Sequence, residues 1–168
     1  MKTMRTKMER AGKTAWLILL ATLALIEVVL ATSITVTGSW SLSIGQANLT
    51  GGAGTDLTTT YTSATNQATL NAAGTFSWTN WRINVRRIDT TWHANFHLWV
   101  KRTNNGTSGL GSYSGGTTFI DLTTTDQTFM TGTGSRSGFT LQFQLTGVST
   151  AIPAASYSTT IRYTIVDT

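Results

Sequence analysis

From Ser33 to Thr168 the chain has no cysteine, no glutamate and one lysine, Lys101, and its full length contains a single proline, Pro153. Without cysteine there is no disulfide staple and no thiolate nucleophile or ligand, so an exported domain must be held by its core alone. Without glutamate, carboxylate chemistry falls to Asp56, Asp89, Asp121, Asp126 and Asp167. Each sits at an expected strand end or turn, where Asp is common because it hydrogen-bonds the nearby backbone. A facing pair at the roughly 5 to 10 Å that glycoside hydrolysis needs is not expected, and Asp121 with Asp126 lacks the spacing of an EF-hand loop. Histidine is scarce too. His93 and His97 would lie about 13 Å apart along a strand, too far to share one ion. There is no G-x-S-x-G elbow, phosphate-binding loop or dinucleotide fingerprint. These absences predict a protein that is not an enzyme and has no catalytic residue, metal site or cofactor.

What is present begins with a leader. Lys2, Arg5, Lys7, Arg10 and Lys13 precede a short apolar run, Ala15 to Ile26, and small residues follow around Ala31 and Ser33. Glu27 interrupts the run, and even Ala15 to Leu30 falls short of the roughly 20 residues that span a bilayer. Residues 1–32 therefore read as a cleaved signal peptide, with an uncleaved N-terminal anchor as the alternative, and residues 33–168 as a single exported domain. The leader also explains the charge. The chain carries +5, but five basic residues and two Glu put +3 of it in the leader, while seven basic residues and five Asp leave +2 for the rest. No strong basic field remains for nucleic acid. Arg82, Arg86, Arg87, Lys101 and Arg102 are expected on a solvated face.

Period-two alternation dominates the remainder. Ile34, Val36, Trp40, Leu42 and Ile44 share one parity, as do Trp92 to Val100, Phe139 to Leu145, and Tyr157 to Ile165, which is the pattern of half-buried strands. Leu57 to Ser63, Gln67 to Leu70, Thr117 to Leu122 and Gln127 to Thr131 are weaker candidates, Thr-rich because a branched side chain suits a pleated surface. In Phe76 to Ile88 the parity shifts near Thr79 and Asn80, predicting a bulge or turn. Gly45 to Asp56, Thr103 to Gly116 and Gly132 to Gly138 read as turn-rich connections. The expectation is an all-β fold: an antiparallel two-sheet, Ig-like sandwich of about eight strands behind the signal peptide.

Few side chains stand out as sites. Trp78, Trp81, Trp92 and Trp99 lie in adjacent stretches, and Trp99 takes the parity opposite to its strand's apolar set, making it the candidate exposed aromatic for stacking on a sugar ring or a partner. Lys101, also of outward parity, is the one lysine available for an isopeptide bond to Asn. Asn48 and Asn105 stand in glycosylation sequons.

The closing segment, Ile152-Pro153-Ala154-Ala155-Ser156-Tyr157 through Ile161-Arg162-Tyr163-Thr164-Ile165, resembles the final turn and strand of secreted Ig-like surface domains of the spore coat U and pilin-subunit type. That resemblance implies a β-sandwich exported to the cell surface and assembly into fibres by strand donation. Tyr157, Ile161, Tyr163 and Ile165 form this closing strand. A second resemblance is to WxL cell-wall-binding domains: Trp40-Ser41-Leu42 satisfies one W-x-L, and Tyr163 stands where the second motif has Trp.

The segment Ile34 to Ile44 follows the leader almost directly. As an alternating strand it is either the first strand of its own sandwich or a donor strand able to pair with an open edge of another copy. The expected function is that of a secreted, extracellular or cell-surface structural or adhesive protein that self-assembles into a filament or coat layer. Its expected partners are other copies of itself, with cell-wall polymer or carbohydrate as the alternative, and membrane only through an uncleaved leader.

Overall fold

The computed structural model describes residues 32–73, 76 and 78–168; the expected leader, apart from Thr32, lies outside them. Eleven strands build the domain: β1 (Ser33–Thr37), β2 (Thr60–Thr62), β3 (Ala68–Ala73), β4 (Asn80–Thr91), β5 (His97–Arg102), β6 (Ser108–Gly109), β7 (Tyr113–Gly115), β8 (Ile120–Asp121), β9 (Gln127–Thr133), β10 (Arg136–Thr146) and β11 (Ser158–Asp167), with one short 3-10 turn at Gln46–Asn48. They form the expected two antiparallel sheets. The first has the order β1-β3-β10-β5-β8, with β2 and β6 also paired to β10, and the second has the order β11-β4-β9-β7.

Strand alternation sets the core. In the first sheet Leu70, Leu98, Val100, Phe139, Leu141 and Phe143 point inward and are buried, while their neighbours Thr69, Trp99, Lys101 and Gln142 take the other face. Trp81, Ile83 and Val85 of β4 meet them from the second sheet, with Ile161, Tyr163 and Ile165 of β11 packed alongside. Adjacent Phe129 and Met130 are both buried, against simple alternation. The register between β4 and β9 shifts at that point, pairing Ile83 with Met130 and Asn84 with Thr128. The extra residue is a bulge that turns two successive side chains inward.

Chain reversals account for the differences from the expected strand ends. The run Ile34 to Ile44 is a ladder only as far as Thr37, because at Gly38 the backbone takes φ +120° hard against β3; a Cβ there would lie 2.6 Å from the Gln67 carbonyl oxygen. Residues 38–44 leave the sheet. The run Trp92 to Val100 is likewise broken: residues 92–96 form the β4–β5 connection, closed by Phe96 N–H donating to the His93 carbonyl at 3.0 Å, and β5 starts at His97. The parity change near Thr79 is a turn, in which Thr79 N–H donates to the Phe76 carbonyl at 3.0 Å. Two short strands, β6 and β7, lie inside the stretch expected to be only turns.

At one end of the sandwich lie Thr32, the β3–β4 turn, the β9–β10 turn and the C-terminus, joined by bonds from Gly134 N–H to the Thr79 carbonyl (2.9 Å) and from Thr168 N–H to the Asn80 carbonyl (3.2 Å). This is the entry pole. Trp81, fully buried beneath it, donates its indole N–H to the Gly134 carbonyl at 2.7 Å. Gly132 on β9 leaves room for that ring, since a Cβ would lie 2.4 Å from Trp81 Cζ2. Gly132→Ala is expected to lower stability by about 1–3 kcal/mol, the usual cost of overpacking, and to cost less in a Trp81→Phe background, where the smaller ring withdraws and only the contact with the Ser112 carbonyl, 2.7 Å from the added Cβ, remains. Urea unfolding of the four variants measures this. Equal costs in both backgrounds would show that the ring contact does not set the preference for glycine.

Candidate functional site

The open part of the sandwich is the side where β1, edge strand of one sheet, meets β11, edge strand of the other. Near the entry pole the two are tied by Thr32 Oγ1 donating to Asp167 Oδ1 at 2.6 Å. Further along, β1 stops at Thr37 while β11 runs on to Ser158, so the seam widens into a groove of about 1160 Å³ between residues 38–44 and 148–157. Its walls are largely apolar: Trp40, Leu42, Phe143, Ile152, Tyr157 and Ile161 contribute. Trp40 lies over Phe143 with ring centroids 6.5 Å apart and planes 17° from parallel. Tyr163 also lines the groove. Its hydroxyl is buried and has no hydrogen-bond partner among the described residues, and burial pushes its phenol well above the ordinary range. An unmatched buried hydroxyl is costly.

The residues expected to act at the two termini are thus brought together. Ile34 packs on the core, Val36 is exposed at the edge, and Trp40, Leu42 and Ile44 line the groove without belonging to any ladder. Tyr157, Ile161, Tyr163 and Ile165 are half-buried, and the first three form the facing wall. Tyr157 closes the far end, its hydroxyl donating to the Pro153 carbonyl at 2.8 Å and its ring set edge-on to Phe96 at 5.0 Å.

Trp99 occupies the outer face of the first sheet, as its parity requires. It is half-buried there, and its indole N–H donates to Thr146 Oγ1 at 3.1 Å. Beside it, His97 Nδ1 and Asp121 Oδ2 are 2.7 Å apart on neighbouring strands, partly exposed on that face. His93 lies in the β4–β5 turn instead, accepting from Asn95 N–H at 3.2 Å, so the two histidines do not share a strand face. Among the described residues no three His, Asp, Cys or Glu side chains gather as a metal site would require. Lys101 Nζ sits 4.5 Å above the Phe119 ring. The five basic residues expected on one face split between the sheets, Arg82, Arg86 and Arg87 on β4 and Lys101 and Arg102 on β5. Arg86 and Arg87 face Asp126 (3.7 Å) and Asp89 (2.7 Å), while Arg102 is buried, donating to the Gly115 carbonyl at 2.6 Å and to Asn105 Oδ1 at 2.8 Å. The aromatics most open to solvent are Phe76 and Trp78 in the β3–β4 turn, stacked on each other 4.8 Å apart and 2° from parallel. Trp78 was visible in the sequence as one of four neighbouring Trp, but nothing in the pattern separates it from buried Trp81.

Asp56, which sequence reasoning treated only as a turn residue, clasps the groove from outside. Its carboxylate accepts from Thr150 N–H (2.7 Å), Leu57 N–H (2.8 Å), Thr150 Oγ1 (3.1 Å) and Ser149 Oγ (3.2 Å), tying residues 149–150 to the loop before β2. The backbone bonds from Thr150 and then Leu57 favour the charged form and hold its pKa below the ordinary 3.8. A lowered folded pKa means the clasp is complete at pH values above 3.8 and is lost as pH falls through the lower folded value. The Thr150 and Leu57 amide resonances are therefore expected to follow one titration with its midpoint below 3.8, absent in Asp56→Asn. A midpoint at or above that value would show that these bonds do not stabilise the carboxylate.

No protein-family model matches the chain, and neither curated proteins nor solved structures give a significant match.

Proposed function

We propose that the domain is an exported, non-catalytic surface protein of structural or adhesive kind, whose copies join by strand pairing at the β1–β11 seam. The observation that carries this reading is the apolar segment Trp40, Leu42 and Ile44, which has strand alternation but no ladder and lies along an open groove. β1 itself is lightly held. Four of its five residues are exposed, and its ladder to β3 is its principal attachment. Releasing it loses little burial. In a neighbouring copy, residues 33–44 in extended form would reach about 40 Å, long enough to continue past Thr37 along the groove. Full burial of each large side chain there contributes about 1.5–3 kcal/mol, and the incoming backbone supplies carbonyls within the region where the Tyr163 hydroxyl lacks a partner.

A second reading is a module for cell-wall polymer or carbohydrate. It is favoured by Trp99, whose N–H bond to Thr146 fixes the indole on an outer face otherwise lined by polar side chains such as Gln142, Gln144 and His97. Both readings make exported protein and use no catalytic group.

Electron microscopy of concentrated protein is expected to show regular filaments or layers. Excess peptide of sequence 33–44 should stop their growth, and a chain lacking those residues should remain folded but no longer extend them. Monodisperse monomers at high concentration would sink the assembly reading. Retention on purified wall polymer, abolished by Trp99→Ala with assembly unchanged, would establish the second reading in its place.

A further inference from the structure

The chain contains one Asn-Gly dipeptide, Asn105-Gly106, and the fold sets it between two cations. Asn105 is exposed in the connection after β5, but its side-chain oxygen accepts from Arg102 Nη1 at 2.8 Å and its backbone carbonyl from Arg136 Nε and Nη2 at 3.1 and 3.0 Å. The two guanidiniums lie 5.1 and 4.8 Å from the centre of one ring, Tyr113. Among the described residues the ion pairs are those of Arg86, Arg87 and His97, so neither Arg102 nor Arg136 has a carboxylate partner. Arg102 is buried, and its side chain donates to neutral groups: the Gly115 and Asn104 carbonyls and the Asn105 amide. A buried cation held by neutral acceptors is stabilised less than one that also faces an anion. None of these residues lines the groove, so the site is independent of the proposed assembly.

We propose that Asn105 is a self-modification site, deamidated through Gly106 to a carboxylate that pairs with buried Arg102. The Gly106 nitrogen attacks Asn105 Cγ, the Cγ–Nδ2 bond breaks, the proton lost from Gly106 is replaced through solvent on the departing nitrogen, and ammonia leaves as a succinimide closes. Water then opens the ring at Cγ, restoring the Gly106 N–H and leaving a carboxylate where the amide stood. Local geometry supports the first step. Gly106 has no side chain to shield its nitrogen, takes φ +72° outside any ladder, and its N–H makes a long bond to Asn104 Oδ1 at 3.2 Å. Negative charge developing on Asn105 Oδ1 during the attack falls on the atom that already faces Arg102. Packing decides the second step. Opening at the backbone carbonyl instead would add a carbon to the main chain, and β10 leaves no slack for it. A Cβ on Gly106 would already lie 2.8 Å from the Ser137 carbonyl oxygen, which also accepts from Thr107 N–H at 2.9 Å. Because Asn105 is exposed, the new carboxylate keeps part of its hydration while supplying the charge that Arg102 lacks.

The full chain is incubated at mildly alkaline pH, digested and read by mass spectrometry, with a peptide of residues 101–110 as the unfolded reference. Asn105 is expected to show the mass gain of an amide-to-acid conversion severalfold faster than any other Asn of the chain. The folded chain should give mainly the aspartyl product, whereas the peptide gives mainly the isoaspartyl one. Asn105→Asp, made directly, is expected to unfold at a higher urea concentration than the parent chain, and Asn105→Gln, which keeps an amide, is not. Asn105 left intact in the folded chain while the peptide converts would overturn the proposal. So would an isoaspartyl majority in the folded chain, or an Asn105→Asp variant no more resistant to urea than its parent.

Discussion

One strand holds the fold together. β10 runs eleven residues and carries β3 and then β2 along one edge, β6 and then β5 along the other. Its inward side chains, Phe139, Leu141 and Phe143, are buried against the second sheet. With no disulfide to close the chain in the unfolded state, cohesion between the sheets depends on these apolar faces. The clearest alternation belongs to long strands whose inward side chains build this core, β10 and β11 among them, and the weakest to short strands such as β2 and β8.

This gradient decides what was legible in the sequence. Phe139 to Leu145 and Tyr157 to Ile165 have unbroken parity because a one-residue slip would turn every large side chain to solvent, and both are strands within three residues of the expected limits. Parity alone does not distinguish a ladder from a segment that fills a gap. Trp40, Leu42 and Ile44 alternate as a strand does, yet the chain has already left β3 at Gly38, and their side chains line the groove instead. Trp92, Ala94 and Phe96 alternate for a different reason: Trp92 and Phe96 meet edge to face at 5.5 Å across a turn. β6 and β7 were hidden because a two- or three-residue strand rich in Gly and Ser has no hydrophobic period to read. The site was legible as two terminal segments. Their meeting across one seam, and the Asp56 clasp beside it, follow from sheet order, which local pattern does not encode.

Charge is used sparingly and mainly to fix loops. Arg102 is the clearest case: a guanidinium at 8% exposure is tolerable only if its donors are matched, and here it satisfies the Gly115 and Asn104 carbonyls while lying 5.1 Å from the Tyr113 ring centre. Those bonds fasten the connection that passes from the second sheet at β7 to the first at β8. Because the chain itself crosses there, that side of the sandwich is shut covalently, and the buried arginine pins the crossing strand segments to β5.

On the opposite side the chain crosses only at the far end of the seam, through the β10–β11 connection that borders the groove. β1 and β11 are the first and last strands, each bonded to one neighbour, and the Thr32–Asp167 bond links them only near the entry pole. Beyond it the two sheets diverge over an apolar interior, and the chain covers this gap with segments that have side-chain contacts but no continuous ladder. Backbone groups along such an edge remain available for pairing, and apolar lining favours a partner that brings alternating side chains over one that brings only polar surface. A sandwich pinned on one side and laid open on the other has a built-in direction for association. The proposed exchange of residues 33–44 uses that direction, with the strand that leaves one seam having the length and alternation the next seam lacks.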